Sequence, residues 1–430
     1  MLNGKLPPAR RSPLVIIGAL FFIFGFITWL NGTLIPFLKI ACELTYSQAL
    51  LVTFAFYIAY VFFALPASLL LKRTGFKNGM ALGLVVMAVG TAVFVPAAQA
   101  RSFSLFLAGL FVQGAGLALL QTASNPYASI LGPLESAARR ISIMGICSKI
   151  AGALSPVIIG AVVLKGTAQL ESQLAGPLAA AQKQALLLQL AHRVIGPYLV
   201  MTGGLLVLAV LIKLSGLPEI GSSPPAASAM PHQSAKSIWQ FPHLWLGVLA
   251  LFCYVGVEVI AGDTIIQYGR SQGISLDIAR NFTSFTLVAM LVGYLIGVAT
   301  IPRRLSQQAA LRICAVVGIC FTAGAIFTQG YMSVFCIAML GLANSLMWPA
   351  IFPLSIRGLG SFTEQGSALL IMGIGGGAVL PYLYGKTSEV LGLQHAYLVL
   401  LPCYFYILFF ALKGHTRQGK AGATYAIPAI

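Results

Sequence analysis

Apolar stretches of about 20 residues or longer recur along the whole 430-residue chain, and mostly short polar segments separate them. A helix of about 20 apolar residues crosses the hydrocarbon core of a bilayer, because it rises about 1.5 Å per residue. The pattern therefore predicts twelve membrane-spanning helices. The predicted spans are 13–38, 46–71, 79–98, 103–131, 141–164, 194–216, 241–269, 279–301, 308–328, 331–356, 365–385 and 393–412.

The composition favours a membrane protein over a water-soluble one. Charged residues make up 8% of the chain and hydrophobic residues 58%. In soluble domains about 25% of the residues are charged. So few charges cannot cover a surface that faces water, and we therefore predict an all-α integral membrane protein.

The net charge of +17 has a membrane explanation rather than a nucleic-acid one. If both termini lie on one side, the segments on that side hold seventeen basic residues and the opposite segments hold eight. Basic residues concentrate on the cytoplasmic side of membrane proteins. The asymmetry predicts cytoplasmic N- and C-termini and gives no reason to expect a nucleic-acid partner.

The chain divides into two halves of six predicted spans. A Pro-, Ser- and Ala-rich segment, 217–240, reads as a cytoplasmic linker between residues 1–216 and 241–430. The motif NGTLIPF of span 1 is echoed by GDTIIQY of span 7, and IMGICSKIAGALSP of span 5 by IMGIGGGAVLP of span 11. These echoes predict two pseudo-symmetric six-helix bundles, an arrangement typical of secondary transporters with a site between the halves.

Three ionisable residues lie in the predicted spans away from the first and last few residues, at membrane depth, where such residues are costly and are functional candidates. Lys149 lies in span 5, and Glu258 and Asp263 lie in span 7. Glu258 is the most deeply placed acid, whereas Asp263 lies nearer the span end and could reach water. Each could instead be a structural hydrogen-bond partner. An axial offset of about 13 Å, counted from the predicted span ends, argues against a direct Lys149–Glu258 bridge.

Amides and an aromatic residue at helical spacing form a second group of candidates. Gln121 and Asn125 are four residues apart in span 4, as are Asn344 and Trp348 in span 10, so each pair shares a helix face. Amides donate and accept hydrogen bonds, which suits sugar hydroxyls, and an aromatic face can stack on a sugar ring. The alternative is hydrogen bonding between helices. Further polar candidates for substrate contact are Asn31 in span 1 and Gln267 in span 7.

Three stretches carry a resemblance to a known family: FGFITWLNGTLIPFLK, ALPASLLLKRTGFKNG and GLALLQTASNPYASILGP. With the twelve spans they resemble the major facilitator superfamily, and within it the bacterial fucose–galactose–glucose:proton symporter family. The resemblance implies the major facilitator fold and a sugar carried by alternating access in a central cavity. It also implies a multi-pass protein of the bacterial inner membrane that acts as a monomer.

The chain departs from the fucose-transporting members at two positions. Those members carry an Asp directly after the span-1 Asn and a Glu before the span-4 Thr-Ala, where this chain has Gly32 and Gln121. The resemblance is therefore to members that transport glucose, galactose or N-acetylglucosamine. We hypothesise that Glu258, alone or together with Asp263, replaces the missing acids as the ion-coupling site.

The nature of the coupling stays open at this stage. A proton or a sodium ion could drive uptake, or the chain could be a facilitative uniporter, and no cofactor or bound metal is expected apart from a sodium site of unknown ligands. Two other classes compete with a sugar transporter. An exporter of amphipathic compounds would have an apolar and aromatic cavity, whereas a polytopic membrane enzyme would carry a cluster of His or acidic residues at one membrane face. The five His lie in loops or near span ends, so catalysis is not expected.

Overall fold

The computed structural model describes residues 11–130, 137–174, 176, 179–215, 217, 237–301, 304–359 and 362–417. These ranges are almost entirely helical, as predicted. The α-helices are α1 Arg11–Thr28, α2 Asn31–Ala41, α3 Tyr46–Ala49, α4 Leu51–Ala92, α5 Phe94–Gln99, α6 Phe103–Ile130, α7 Ala137–Val163, α8 Thr167–Leu174, α9 Ala180–His192, α10 Ile195–Leu214, α11 Pro242–Asp263, α12 Ile265–Ser271, α13 Leu276–Ala279, α14 Phe282–Thr300, α15 Gln307–Phe327, α16 Gly330–Asn344, α17 Met347–Ile356, α18 Thr363–Met372, α19 Gly376–His395 and α20 Leu400–Leu412.

Within the described residues, eleven helical segments are long and apolar enough to cross a membrane. One of them, Gln365–Thr416, has 52 residues and would extend about 78 Å, more than twice the thickness of the hydrocarbon core. Gly392 interrupts it with a φ of 79°, a left-handed conformation in which glycine is not strained. The chain reverses there, so this segment supplies spans 11 and 12 and the predicted twelve-helix architecture is confirmed.

The longest segment predicted to be a loop is largely helical. Residues 165–193 contain α8 and α9, and α9 leads almost directly into α10, the body of span 6. The segment is rich in Ala, Leu and Gln, which are good helix formers. The segment has no run of about twenty apolar residues, which argues against a membrane span but not against a helix.

Spans 1, 7 and 10 are each broken near a polar residue that the sequence singles out. α1 gives way to α2 at Asn31, α11 ends at Asp263, and α16 ends at Asn344. The NGT and GDT motifs that echo each other across the two halves therefore both mark a helix break. Breaks of this kind free backbone groups inside the membrane and occur at the sites of transporters.

The helices pack mainly within their own half of the chain. In the first half α4 packs on α6 and α10, and α1 on α7; in the second, α11 packs on α19, and α16 on α14 and α15. Contacts between the halves include α7 with α14, α4 with α18 and α19, and α2 with α11 and α12. Most of the predicted linker lies outside the described residues, so the boundaries 1–216, 217–240 and 241–430 stay a prediction.

We call the end of the bundle that carries residues 42–45, 272–275 and 328–330 the distal end, and the opposite end the terminal end. An ion network fixes the distal end of the first half. Glu43 accepts from Lys183 at 2.5 Å and from Arg101 at 3.2 Å. The hydrogen bond from Lys183, helped by both positive charges, lowers the pKa of Glu43.

Replacing Glu43 by Gln should lower the free energy of unfolding by no more than about 1 kcal/mol at neutral pH, because exposed ion pairs contribute little. Since the folded-state pKa is the lower one, the contribution is complete above the unfolded-state pKa and is lost as the pH falls through the folded-state pKa. Thermal unfolding of the two proteins in detergent at neutral and acidic pH tests this. A difference that persists unchanged in acid would contradict it.

Candidate functional site

A cavity of about 160 Å³ lies between the two halves. Pockets that hold drug-sized ligands measure about 300–1,000 Å³, so this cavity suits a smaller molecule. Residues of both halves line it: Phe21, Phe24, Thr28, Trp29, Tyr57, Tyr60, Gln121, Gly145, Ser148, Lys149, Tyr254, Val255, Glu258, Tyr294, Trp348, Pro349 and Ile374.

An ion pair crosses the cavity from one half to the other. Lys149 Nζ of α7 lies 2.7 Å from Glu258 Oε1 of α11, and each side chain is 11% exposed. In such surroundings a charge without a partner is strongly unfavourable, so each residue stabilises the charge of the other. The pair also links the two halves, because α7 belongs to the first and α11 to the second.

The sequence argument against this bridge is wrong, because it rests on predicted span ends. α7 begins at Ala137 and α11 at Pro242. Counted from these starts, Lys149 is 12 residues into its helix and Glu258 is 16 residues into its own. A difference of four residues corresponds to about 6 Å, which the long lysine side chain can span.

The indole ring of Trp29 lies against the ammonium group of Lys149. Its ring centroid lies 4.8 Å from Lys149 Nζ, a cation–π contact, and its side chain is buried. Two glycines form the slot in which the indole lies. A Cβ on Gly152 of α7 or on Gly262 of α11 would overlap the ring, so the absence of a side chain at both positions lets Trp29 pack between the halves.

Aromatic rings form most of the remaining wall. Tyr57 and Tyr60 stack with centroids 6.3 Å apart, and Tyr254 packs against Trp348 at 6.4 Å. Gln121 Nε2 donates to Tyr60 Oη at 3.1 Å, which holds the amide at the cavity edge. The wall thus combines flat apolar faces with an amide, an ammonium and a carboxylate.

Four predicted site residues line this cavity together, namely Gln121, Lys149, Glu258 and Trp348. The side chain of Asn125 lies outside the described residues.

Asn344 and Gln267 are placed elsewhere, so this geometry does not favour the direct sugar contact predicted for them. Asn344 accepts at Oδ1 from Tyr404 Oη at 2.9 Å, a contact between spans 10 and 12. Gln267 lies on α12 near the distal end and accepts from Arg270 Nη1 at 3.4 Å. Both are buried, and the signal that identified them, a polar residue at membrane depth, does not separate cavity contacts from helix contacts.

Asp263 and Asn31 lie between the cavity and the distal end. The expectation that Asp263 could reach water is wrong, because the residue is only 1% exposed. Its Oδ2 accepts from Thr53 Oγ1 of the first half at 2.9 Å. Asn31 is buried as well, and its Nδ2 has no hydrogen-bond partner among the described residues.

Several cavity residues are absent from the sequence-based set, chiefly Trp29 and four tyrosines. The tyrosines are Tyr57, Tyr60, Tyr254 and Tyr294. Tyr57 and Tyr60 are three residues apart and share a helix face, which is a usable signal. Aromatic residues are frequent in all the spans, however, so spacing alone does not tell a cavity wall from a lipid-facing surface.

Among the described residues, no three His, Cys, Asp or Glu side chains come together as a metal site. The cavity lining offers one ion pair, an amide, hydroxyl groups and aromatic faces. Such a set of residues can bind a small polar molecule. A proton on Glu258 would change the net charge of the set by one.

The fold and the central cavity define a polytopic helical membrane transporter. The chain belongs to the major facilitator superfamily, whose family model matches residues 17–381. It is 36% identical over 398 residues to a glucose/galactose transporter of Brucella abortus, with 92% of each chain covered. It is 30% identical to the L-fucose-proton symporter of Escherichia coli, covering 93% of this chain and 92% of that one.

Solved structures agree with this assignment. A crystal structure of the Escherichia coli fucose:proton symporter superposes with a TM-score of 0.72 at 28% identity, covering 94% of this chain and 98% of that one. A bacterial homologue of the lysosomal transporter Spinster, in an inward-facing conformation, has a TM-score of 0.65 at 16% identity, covering 98% of this chain and 99% of that one. The second likeness shows the shared fold alone.

Proposed function

We propose that the protein is a secondary active transporter that imports a hexose, either glucose and galactose or N-acetylglucosamine, together with a cation. The observation that carries the proposal is the Lys149–Glu258 ion pair, which joins the two halves inside a cavity of monosaccharide size. The printed names of the Brucella and Escherichia relatives support a sugar substrate. The terminal end of the bundle faces the cytoplasm, as the distribution of basic residues predicts.

The ion pair and the amide in the cavity wall favour a sugar over an amphipathic compound, whereas the aromatic rings beside them fit either ligand. A pyranose has polar edges and C–H faces, and the wall offers hydrogen-bonding groups beside aromatic rings such as Trp348. The volume of about 160 Å³ is small for the larger ligands that an exporter of amphipathic compounds would carry.

The ion pair supplies a mechanism for coupling. Lys149 holds the Glu258 carboxylate while the site has no cation. A proton on Glu258 would remove that attraction, release Lys149 to donate to a sugar hydroxyl, and loosen one link between the halves. Ion and sugar would then bias the same conformational equilibrium, which is the requirement for coupled transport. The relative named as a proton symporter favours a proton as the cation.

Uptake into proteoliposomes tests the function directly. Labelled glucose, galactose or N-acetylglucosamine is supplied outside, and inward-directed gradients of protons and of sodium are imposed separately. We expect at least one sugar to accumulate above its equilibrium level under the proton gradient alone, because Glu258 is the acid that meets the cavity.

Each other outcome has a definite meaning. Accumulation under the sodium gradient alone would make the protein a sodium symporter. Equilibration without accumulation under both gradients would make it a uniporter and would remove the coupling role of Glu258. No uptake of any of the three sugars would contradict the proposed substrate class.

A further inference from the structure

We propose that Asp263 and Thr53 form a proton-dependent latch that closes the distal end of the transporter. In this latch the carboxyl is protonated while the two halves are in contact and ionised while they are apart. The assignment of the distal end to the outside rests on the proposed transport function. The latch differs from the coupling site, because its proton enters and leaves on the same side of the membrane.

The contact exists only while the halves meet. Thr53 belongs to α4 of the first half and Asp263 ends α11 of the second, and the two residues are 0% and 1% exposed. Thr53 Oγ1 donates to Asp263 Oδ2 at 2.9 Å. The other carboxyl oxygen, Oδ1, has no hydrogen-bond partner among the described residues.

The surroundings of Asp263 hold no neutralising charge. The titratable groups that interact electrostatically with it are Tyr46 and Tyr57 of the first half and Glu258 of its own helix. Among the described residues no basic side chain lies within 4 Å of it, and Lys149 is engaged with Glu258. A buried carboxylate without a cation is strongly unfavourable, and a second acid nearby adds repulsion. The closed arrangement therefore holds the neutral carboxyl, which still accepts from Thr53.

Close packing around the latch completes the seal. Gly32 of α2 lies so near the second half that a Cβ there would be 3.0 Å from Thr283 Oγ1 and 3.4 Å from the Gly262 carbonyl oxygen. Further out, Ser47 packs against Gly385. Water reaches Asp263 from the distal side only when these surfaces separate, and hydration then favours ionisation.

Asp263 does not line the cavity, whereas Glu258 does. A proton bound at Asp263 is thus trapped by closure and returned to the same side on opening. It makes closure depend on the outside pH without adding to the number of ions transported. For one proton bound on closing, the ratio of open to closed molecules changes by up to about tenfold per pH unit.

The accessibility of a thiol at position 47 reports on the latch. The reporter is Ser47→Cys in a Cys42→Ala background, because Ser47 is 2% exposed and Cys42 is the half-buried thiol of that end. Labelling by a membrane-impermeant maleimide is measured in right-side-out vesicles between about pH 5 and pH 8, without sugar. Rates are divided by those of the same reporter carrying Asp263→Asn, which cancels the pH dependence of the thiol itself.

We expect this ratio to be near one in acid and to rise with pH. The amide introduced by Asp263→Asn mimics the protonated carboxyl and can keep the bond to Thr53, so that variant stays closed. The matched control is Asp277→Asn, which neutralises an exposed acid of the same end and should label like the parent. A ratio that does not change with pH would overturn the latch, as would faster labelling of Asp263→Asn than of the parent in acid.

Two further measurements test the latch, one by labelling and one by sugar accumulation. Thr53→Val removes the donor and should label faster than the parent in acid, and it also serves if Asp263→Asn fails to fold. Sugar accumulation by Asp263→Asn should persist under the gradient that drives the parent. If Asp263→Asn still exchanges sugar but no longer accumulates it, Asp263 lies in the coupling path. The proposal that its proton returns to the side from which it came would then be overturned. The labelling needs no sugar. It therefore tests the latch even if the parent protein transports none of the three hexoses.

Discussion

Replacing Glu258 by Gln is expected to abolish sugar accumulation against a gradient, because the variant cannot bind the driving ion at the cavity. The same substitution leaves Lys149 buried without its partner. Removing one member of a buried ion pair lowers the free energy of unfolding by about 3–5 kcal/mol. Accumulation in proteoliposomes and thermal unfolding in detergent measure the two effects separately.

A double substitution separates coupling from stability. Lys149→Met with Glu258→Gln removes both charges and should recover most of the lost stability, since replacing a whole buried pair is often nearly neutral. It should not recover accumulation. If the double variant accumulates sugar like the parent, the pair is structural and the coupling ion binds elsewhere. Glu389→Gln, which breaks an exposed pair with Lys386, is the matched control and should change neither property.

Replacing Gly152 by Ala is expected to remove most of the transport activity. The added methyl group would overlap the indole of Trp29 and contact Leu287. The indole must therefore move away from its position beside the Lys149 ammonium group. Overpacking a well-filled interior typically costs about 1–3 kcal/mol, occasionally more. Uptake rates and thermal unfolding are compared with Gly203→Ala, where a Cβ would meet nothing within 4 Å.

A second-site substitution tests whether the indole is the cause. Trp29→Phe in the Gly152→Ala background provides a smaller ring and should regain part of the stability and of the uptake. The structural argument fails if the smaller ring gives no recovery while Trp29→Phe alone remains active. It also fails if Gly152→Ala transports at the rate of Gly203→Ala.

Much of the fold can be predicted from the sequence, because membrane helices follow from simple requirements of length and hydrogen bonding. The apolar runs identify the spans, and the echo of NGTLIPF in GDTIIQY points to the duplicated halves. That both copies of the motif coincide with a helix break is seen only in the structure. The helices α8 and α9 are missed because their sequences, although helix-forming, are too polar for a span. A run of about twenty apolar residues is a criterion for membrane crossing, and it does not detect helices that are more polar.

The site is predicted less completely than the fold. Rarity identifies Lys149 and Glu258, since few ionisable residues lie at membrane depth. Whether their side chains meet depends on where α7 and α11 begin, and the sequence gives these positions only to within a few residues. A shift of one helical turn moves the two side chains into or out of contact. Trp29 is missed for another reason. Its position depends on two glycines, at 152 and 262, that are distant in sequence and meet only in the folded chain.

The tight fit of Gly32 against Thr283 and the Gly262 carbonyl also limits how chains of this kind can diverge. An acidic side chain at position 32 would press on Thr283 of span 8, and it would place a second carboxyl close to span 7, which carries Asp263. A mutational path from this arrangement to one with the acid in span 1 should therefore pass through the loss of Asp263 first. The two positions are expected to show sign epistasis, so that either acid is tolerated alone and the two together are selected against.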